Sequence, residues 1–358
     1  MSRPLTELRD LRPERVCIIK PSALGDIVNA LPVLSSLRDL WPEAKFSWVV
    51  NRSLRGLVEG HPDLEEVILY DRTKGGLSLK GIRGFLGFLK QLRSRRFDVT
   101  IDLQGLLRSG IMTAATGAKY RVGRGDSREG ADWFYTHQVP TPGEDSHAVD
   151  RLLSVAEAFG GDISAPRYVV PMTEADRQWA RDLMASVPRP RLVLNMGARW
   201  ETKRWPPRHF AEIARRAHAT RGAGIVLIGA PEDRVWVEEF LDLYKESPVV
   251  DVCGRTTLPQ LAALASESDL VVSNDTGPLH LSTAAGARVV GIYTCTSPQL
   301  NGPYGPKAMA VSTCVWCAAK YITRCERLEC FDELTPDRVW TAVEIQLDAE
   351  KPAKGAAA

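Results

Sequence analysis

At 358 residues with 44% hydrophobic content, the chain is long enough for two domains of ordinary size, each with its own core. Its 46 Lys and Arg against 44 Asp and Glu give a formal charge of +2, so nothing global calls for a nucleic acid as partner. No run of about eighteen apolar residues occurs and residues 1–15 lack the apolar stretch of a signal peptide, which leads to the expectation of a cytoplasmic protein without a membrane-spanning helix.

In chain order, apolar runs alternate with amphipathic stretches, the pattern of βα units on a parallel sheet. The sequence predicts strands over 15–20, 45–50, 67–70 and 98–103, with helices over 27–40, 54–60 and 82–95 between them. A further short helix and strand lead to a helix over 148–159 that closes a first domain over 1–165. A stretch rich in proline, glycine and polar residues follows, with one short helix over 174–185; 166–190 is therefore expected to be the linker. The second domain, 191–348, repeats the alternation with strands over 191–195, 225–228, 249–252, 269–273 and 289–293. Its helices are predicted over 208–220, 233–244, 258–266, 279–285 and 336–347, before a disordered tail at 349–358. The fold class that results is α/β, with two doubly wound Rossmann-like domains facing a central cleft, and ligands at the carboxyl ends of the strands.

Polar residues that interrupt this pattern mark the candidate site. The first strand is followed by Pro21-Ser22-Ala23-Leu24-Gly25-Asp26, where a dinucleotide-binding domain would carry G-x-G-x-x-G; that fingerprint is absent. Gly25 permits a tight turn or a close approach to a ligand, with Ser22 in the same loop, while Asp26 is either an N-cap or a carboxylate at the mouth of the cleft. In the second half, Asn195 to Pro206 forms a long polar loop whose Lys203 and Arg204 suit a diphosphate. Ile228-Gly229-Ala230-Pro231-Glu232-Asp233 ends a strand with carboxylates suited to ribose hydroxyls. Leu270 to Val272 is an apolar strand that empties into Ser273-Asn274-Asp275-Thr276-Gly277-Pro278-Leu279-His280. There a helix start with proline in its first turn offers free amides to an anion.

Basic residues gather between Arg72 and Arg128, among them Lys80, Arg83, Lys90, Arg93, Arg108 and Arg124, opposed only by Asp98, Asp102 and Asp126. Within this region the segment 75–88, with Leu77, Leu79, Ile82, Phe85, Leu86 and Phe88, suits either core packing or a membrane surface. Three of the seven cysteines, Cys17, Cys253 and Cys295, sit in or beside apolar strands as reduced packing residues. Cys314, Cys317, Cys325 and Cys330 have the count of a structural zinc site; disulfides and unliganded thiols are the alternatives.

With Leu24-Gly25-Asp26 followed by Leu31-Pro32, then Lys203-Arg204-Trp205-Pro206, then Ser273 to His280, the chain resembles the ADP-heptose:lipopolysaccharide heptosyltransferases. These are glycosyltransferases of family 9 with the GT-B fold, and the resemblance runs from Val16 to about Trp340. It implies inverting transfer of heptose from ADP-heptose to the lipopolysaccharide inner core, with no cofactor required. It implies Asp26 as general base and Lys203 on the donor phosphates. It further implies Thr276, Gly277 and His280 on the diphosphate, Asp275 on sugar hydroxyls, and Glu232, or Asp233, with the neighbourhood of Thr256 on ribose and adenine. The partners so implied are a nucleotide-sugar donor and an anionic lipid-linked saccharide acceptor, with peripheral contact at the inner membrane. The competing readings are a GT-B enzyme for another nucleotide sugar and a non-catalytic nucleotide-sugar-binding module.

Overall fold

The computed structural model describes residues 3–71 and 79–349. Leu77 and the rest of 75–78, and the tail at 350–358, lie outside the described residues. The chain divides into two compact units, Met1–Pro171 and Met172–Ala358.

The first unit runs α1 (Thr6–Arg9), β1 (Arg15–Ile19), α2 (Leu24–Leu40), β2 (Lys45–Asn51), β3 (Glu66–Tyr70), α3 (Leu79–Ser94), β4 (Val99–Asp102), α4 (Leu107–Thr116), β5 (Tyr120–Arg124), β6 (His137–Val139) and α5 (Ala148–Phe159). Its six strands lie in the order β3-β2-β1-β4-β5-β6, and every pairing is parallel. Val16 to Ile19 are fully buried because helices cover both faces of the sheet, which is why this strand reads as an unbroken apolar run. The helix expected over 54–60 is a 3-10 helix at Arg52–Leu57, started by the Asn51 side chain accepting from the Ser53 N–H at 3.1 Å.

The second unit runs α6 (Glu174–Ala185), β7 (Arg191–Asn195), α7 (Pro207–Arg221), β8 (Gly224–Ile228), α8 (Arg234–Leu243), β9 (Val249–Asp251), α9 (Leu258–Glu267), β10 (Leu270–Asn274), α10 (Gly277–Ala284), β11 (Val289–Tyr293), α11 (Pro298–Asn301), β12 (Ala308–Ser312), α12 (Glu329–Glu333) and α13 (Pro336–Asp348). Its strand order, β12-β11-β10-β7-β8-β9, repeats that of the first unit when each unit's strands are numbered from its own start. Helix α6, placed by the sequence inside the linker, packs against α9 and so belongs to this unit. It starts at a reciprocal cap in which Thr173 and Asp176 bond each other's backbone N–H.

In each unit the winding reverses between two neighbouring strands, β1 and β4 in the first, β7 and β10 in the second. The loops leaving those strands therefore part to opposite faces and open a crevice at the carboxyl edge, where doubly wound sheets bind ligands. Among the described residues no helix is long and apolar enough to cross a membrane.

One glycine in the first sheet makes room for a polar support of that crevice. A Cβ on Gly123 of β5 would lie 2.0 Å from the ring of Tyr135, whose hydroxyl donates to the buried Asp102 carboxylate at 2.7 Å. Gly123→Ala is expected to lower stability by about 1–3 kcal/mol through overpacking. A urea titration checks this, and an unchanged midpoint would show that the ring moves aside freely.

Candidate active site

At the first crevice, β1 ends at Ile19 and the chain enters α2 through Lys20 to Ala23. Ala23 is the N-cap, so Asp26 is not the cap but the third helical residue; its Oδ2 accepts from the Ala23 N–H at 3.1 Å. The side chain is exposed at the positive end of the helix, and its remaining lone pairs are available to a hydroxyl. Gly25 lies inside the first helical turn without a left-handed φ, so no tight turn requires it. Ser22 is held from the facing strand, its N–H donating to Gln104 Oε1 at 3.3 Å.

Behind this loop lies a residue that the sequence did not single out. Lys20 is only 4% exposed, and burial pushes its pKa down, opposed in part by the nearby Asp26 carboxylate. Arg124 pushes in the same direction as burial, while Asp102 and Asp126 oppose it. Asp102 accepts from the N–H groups of Gln104 at 2.8 Å and Gly105 at 3.0 Å as well as from Tyr135. Burial raises its pKa, and these hydrogen bonds offset part of the rise. A signal was present in the sequence: a lysine directly after a buried strand, at the end where ligands bind.

The second crevice is more heavily bonded. Asp275, at the end of β10, is 4% exposed, and its Oδ2 accepts from Lys203 Nζ at 2.6 Å and from the Thr296 hydroxyl at 2.6 Å. His280 Nε2 stands 3.6 Å from its Oδ1. Burial alone would raise the Asp275 pKa, but the contacts from His280 and Lys203 outweigh it and bring the value to about 2. Lys203 also donates to the Asp275 carbonyl at 3.3 Å and lies 4.7 Å over the Trp200 ring, which fixes its ammonium.

Thr276 is the N-cap of α10 by position, yet its hydroxyl caps no amide of that helix. It accepts instead from Asn195 Nδ2 at 3.0 Å, which ties the end of β7 to the helix start. Pro278 occupies the first turn, where a missing N–H costs nothing, and Gly277 leaves the approach to the helix start without a side chain. Asn274 completes the lacing, its side chain donating to the Met196 carbonyl at 2.7 Å and accepting from the Trp205 N–H at 3.3 Å. Trp205 is fully buried, and its indole N–H donates to the Leu334 carbonyl at 2.7 Å, so the Trp-Pro pair does anchor the loop. Arg204, by contrast, is used internally: Nε donates to the Ala198 carbonyl at 2.7 Å and the guanidinium lies 5.3 Å over Trp236.

Glu232 and Thr256 stand on the loops after β8 and β9, at the same carboxyl edge. The loops are stitched together by the Gly254 N–H donating to the Gly229 carbonyl at 2.8 Å. The two carboxylates are packed differently. Asp233 turns inward, accepts from the Ala230 N–H at 2.8 Å and sits where a Cβ on Gly197 would be, 2.0 Å from that position. Glu232 is exposed.

The cysteines do not behave as a set of four. Cys314 is exposed, 3.6 Å from Arg338 Nη2, whereas Cys330 is buried and its thiol is pushed up to about 12 by burial, with Cys317 and Cys325 adding to the rise. Among the described residues no group of three or more His, Cys, Asp or Glu is placed to hold a metal ion, so of the three readings of the cluster the geometry does not fit zinc. All seven cysteines are free thiols.

Two doubly wound units with these residues at their crevices are matched by known proteins. The model of glycosyltransferase family 9 (heptosyltransferase) matches residues 85–330. The chain belongs to glycosyltransferase family 9. It is 30% identical over 296 residues to the lipopolysaccharide core heptosyltransferase OpsX of Haemophilus influenzae, covering 82% of each chain. A family 9 glycosyltransferase from Veillonella parvula has the same fold with a TM-score of 0.81 and 23% identity, over 94% of this chain and 98% of that one. The Escherichia coli heptosyltransferase WaaC, solved with ADP, aligns with a TM-score of 0.72 and 25% identity over 93% of this chain and 99% of that one. The enzyme is therefore a glycosyltransferase of the GT-B class, as the sequence motifs implied.

In this glycosyltransferase the Asp275 network has a pH signature. Its carboxyl has a pKa of about 2 against an ordinary value of 3.8, so the ionised form stabilises the folded state above about pH 4 and the gain is lost as pH falls toward 2. Asp275→Asn is expected to cost about 2 kcal/mol at neutral pH. Denaturant titrations of both proteins check it: the gap between them should close between about pH 4 and about pH 2, and a gap independent of pH would mean that charge is not what Asp275 contributes.

Proposed function

We propose that this enzyme transfers a heptose from ADP-heptose to the anionic, lipid-linked inner core of lipopolysaccharide, with inversion at the anomeric carbon. The observation that carries the proposal is the Lys203–Asp275–His280 cluster at the start of α10, on a chain whose relatives are heptosyltransferases. A lysine ammonium has three donors. Asp275 takes two of those of Lys203, through Oδ2 and the carbonyl oxygen, and the third is left for a donor phosphate. Thr276, Gly277 and His280 add the helix terminus and an imidazole to the diphosphate. Asp275 aims Lys203 and His280, and its Oδ1 serves a sugar hydroxyl. Glu232 holds the ribose and Thr256 lies beside the adenine.

The chemistry asks for two things at once. Negative charge grows on the departing diphosphate as the sugar becomes oxocarbenium-like, and Lys203 with the α10 amides offsets it from fixed positions. Asp26 takes the proton from the attacking acceptor hydroxyl, which forms the new glycosidic bond as the bond to the diphosphate breaks. Lys20 supports the loop of the base from below, and Ser22 and Gly25 keep the approach to it open. None of these roles requires a metal or another cofactor. An acceptor carried on lipid places the enzyme at the inner membrane surface as a peripheral protein.

The test is direct. Purified enzyme with ADP-heptose and a lipopolysaccharide core precursor should give a product heavier by one heptosyl unit, read by mass spectrometry. Turnover with a different nucleotide sugar and none with ADP-heptose would overturn the donor assignment. Asp26→Asn should lower kcat by about 10²–10⁴-fold while leaving the affinity for the donor unchanged. Transfer at the unaltered rate would remove Asp26 as the base, and donor binding without transfer by the unaltered protein would favour a non-catalytic module.

A further inference from the structure

Helix α3 buries one side and leaves the other without an explanation in the fold. Phe85, Phe88 and Leu89 pack onto the core around Leu92, Cys17 and Ile19, and Tyr70 meets both phenylalanine rings. On the neighbouring stripe of the helix Leu79, Ile82 and Leu86 are 77%, 42% and 51% exposed. These positions recur at helical spacing and form one continuous outward face. The sequence left Phe85 and Phe88 open between core packing and a membrane surface; the structure assigns those two to the core.

The face has a charge pattern of one sign. No Asp or Glu occurs in α3, and the exposed Lys80, Arg83 and Lys90 alternate with the apolar side chains. Among the described residues none of these three side chains has an ion-pair partner. The other strongly exposed large apolar residues of the first unit lie on the elements beside it: Leu107 at the start of α4, which packs on α3, and Trp133 on the turn that packs on α4. Arg108 and Arg128 are exposed there too, with Glu129 and Asp132 as the acids. Since α3 follows β3 in a parallel sheet, its first turn stands at the carboxyl edge, the edge that carries Asp26.

We propose that the outer face of α3 is the docking surface of this enzyme for an anionic lipid bilayer. Leu79, Ile82 and Leu86 enter the boundary between headgroups and acyl chains, Lys80, Arg83 and Lys90 rest on lipid phosphates, and Trp133 sits at headgroup level. Apolar anchors interleaved with unpaired cations match an anionic bilayer. A protein partner or a second copy of this chain would have to bring acidic groups of its own to the same stripe. The inference rests on the reading of a lipid-linked acceptor and names the surface by which the enzyme reaches it.

Two measurements separate the surface from the reaction. Full-length enzyme should cosediment with vesicles of phosphatidylglycerol and phosphatidylethanolamine, far less with phosphatidylcholine alone, and less at high salt. The combined substitution Leu79→Ser, Ile82→Ser, Leu86→Ser and, separately, Lys80→Gln, Arg83→Gln, Lys90→Gln should each weaken binding by about tenfold or more. Both variants should keep the unaltered melting temperature and the unaltered kcat on a water-soluble, delipidated acceptor. Equal sedimentation of variants and parent, or no binding of the parent to anionic vesicles, overturns the proposal. A concentration-dependent dimer that the serine variant abolishes overturns it in favour of a second copy. Vesicle binding as described, with no transfer to the soluble acceptor, would leave the docking surface standing and remove the proposed reaction instead.

Discussion

The buried carboxylate of Asp275 is the constraint on which the second unit's site is organised. A carboxylate that is 4% exposed is unfavourable unless it is met by cations and donors, and Lys203 and Thr296 meet it from two separate loops and His280 from α10. Satisfying one charge thus fixes the loop after β7, the start of α10 and the loop after β11 relative to one another. The order imposed by this requirement would serve the proposed chemistry, in which the ammonium held by Asp275 is the one assigned to the donor phosphates. A phosphate-binding lysine on an unsupported loop would lose side-chain entropy on each binding event. Here that cost is met in folding, and Trp200 below the ammonium and Asn274 behind the loop add to the restraint.

The two units use one topology for opposite ends. Both sheets reverse their winding between the first and fourth strands, so both offer a crevice at the carboxyl edge. In the second unit the crevice is laced by side-chain hydrogen bonds among Asn195, Asn274, Thr276 and Asp275. In the first, the loop after β4 is held by the buried Asp102, with the buried Lys20 nearby, while Asp26 itself stays exposed on the first turn of α2. That contrast follows from the tasks proposed for them. A diphosphate is gripped best by groups already in place, whereas a base must present an open lone pair to an incoming hydroxyl.

Most of the scaffold was legible in the sequence because buried parallel strands are apolar without interruption and their helices are amphipathic. The strands at Arg191–Asn195 and Val289–Tyr293 and the helices at Ala148–Phe159 and Glu174–Ala185 begin and end where composition changes. What escaped was short or marginal: β6 has three residues, and the edge strand β12 is half-buried to exposed, its short run mostly alanine and methionine rather than β-branched residues. Among site residues, the motif loops pointed to Asp26, Lys203 and the Asp275 to His280 segment. Roles that depend on tertiary partners did not show. Lys20 is distinguished by burial, Arg204 by the Ala198 carbonyl and the Trp236 ring, and Asp233 by the absence of a side chain at Gly197. A loop arginine and a loop lysine look alike in sequence, and only the acceptor each one finds separates a brace from a ligand-binding group.

The same distinction governs the surface of the first unit. In α3 the aromatic residues, which bury the most area, go to the core, and the aliphatic residues left outside are set among cations. Core packing alone would tolerate polar residues at Leu79, Ile82 and Leu86, since the described residues leave much of each side chain exposed. Three exposed aliphatic side chains on one stripe expose apolar area to water with no return inside the fold, unless something outside it takes them up. In the proposed reaction, an acceptor embedded in a bilayer supplies that return at the edge of the sheet that carries Asp26. On that proposal, the helix that closes one face of the sheet is also the element that brings the proposed base to its substrate.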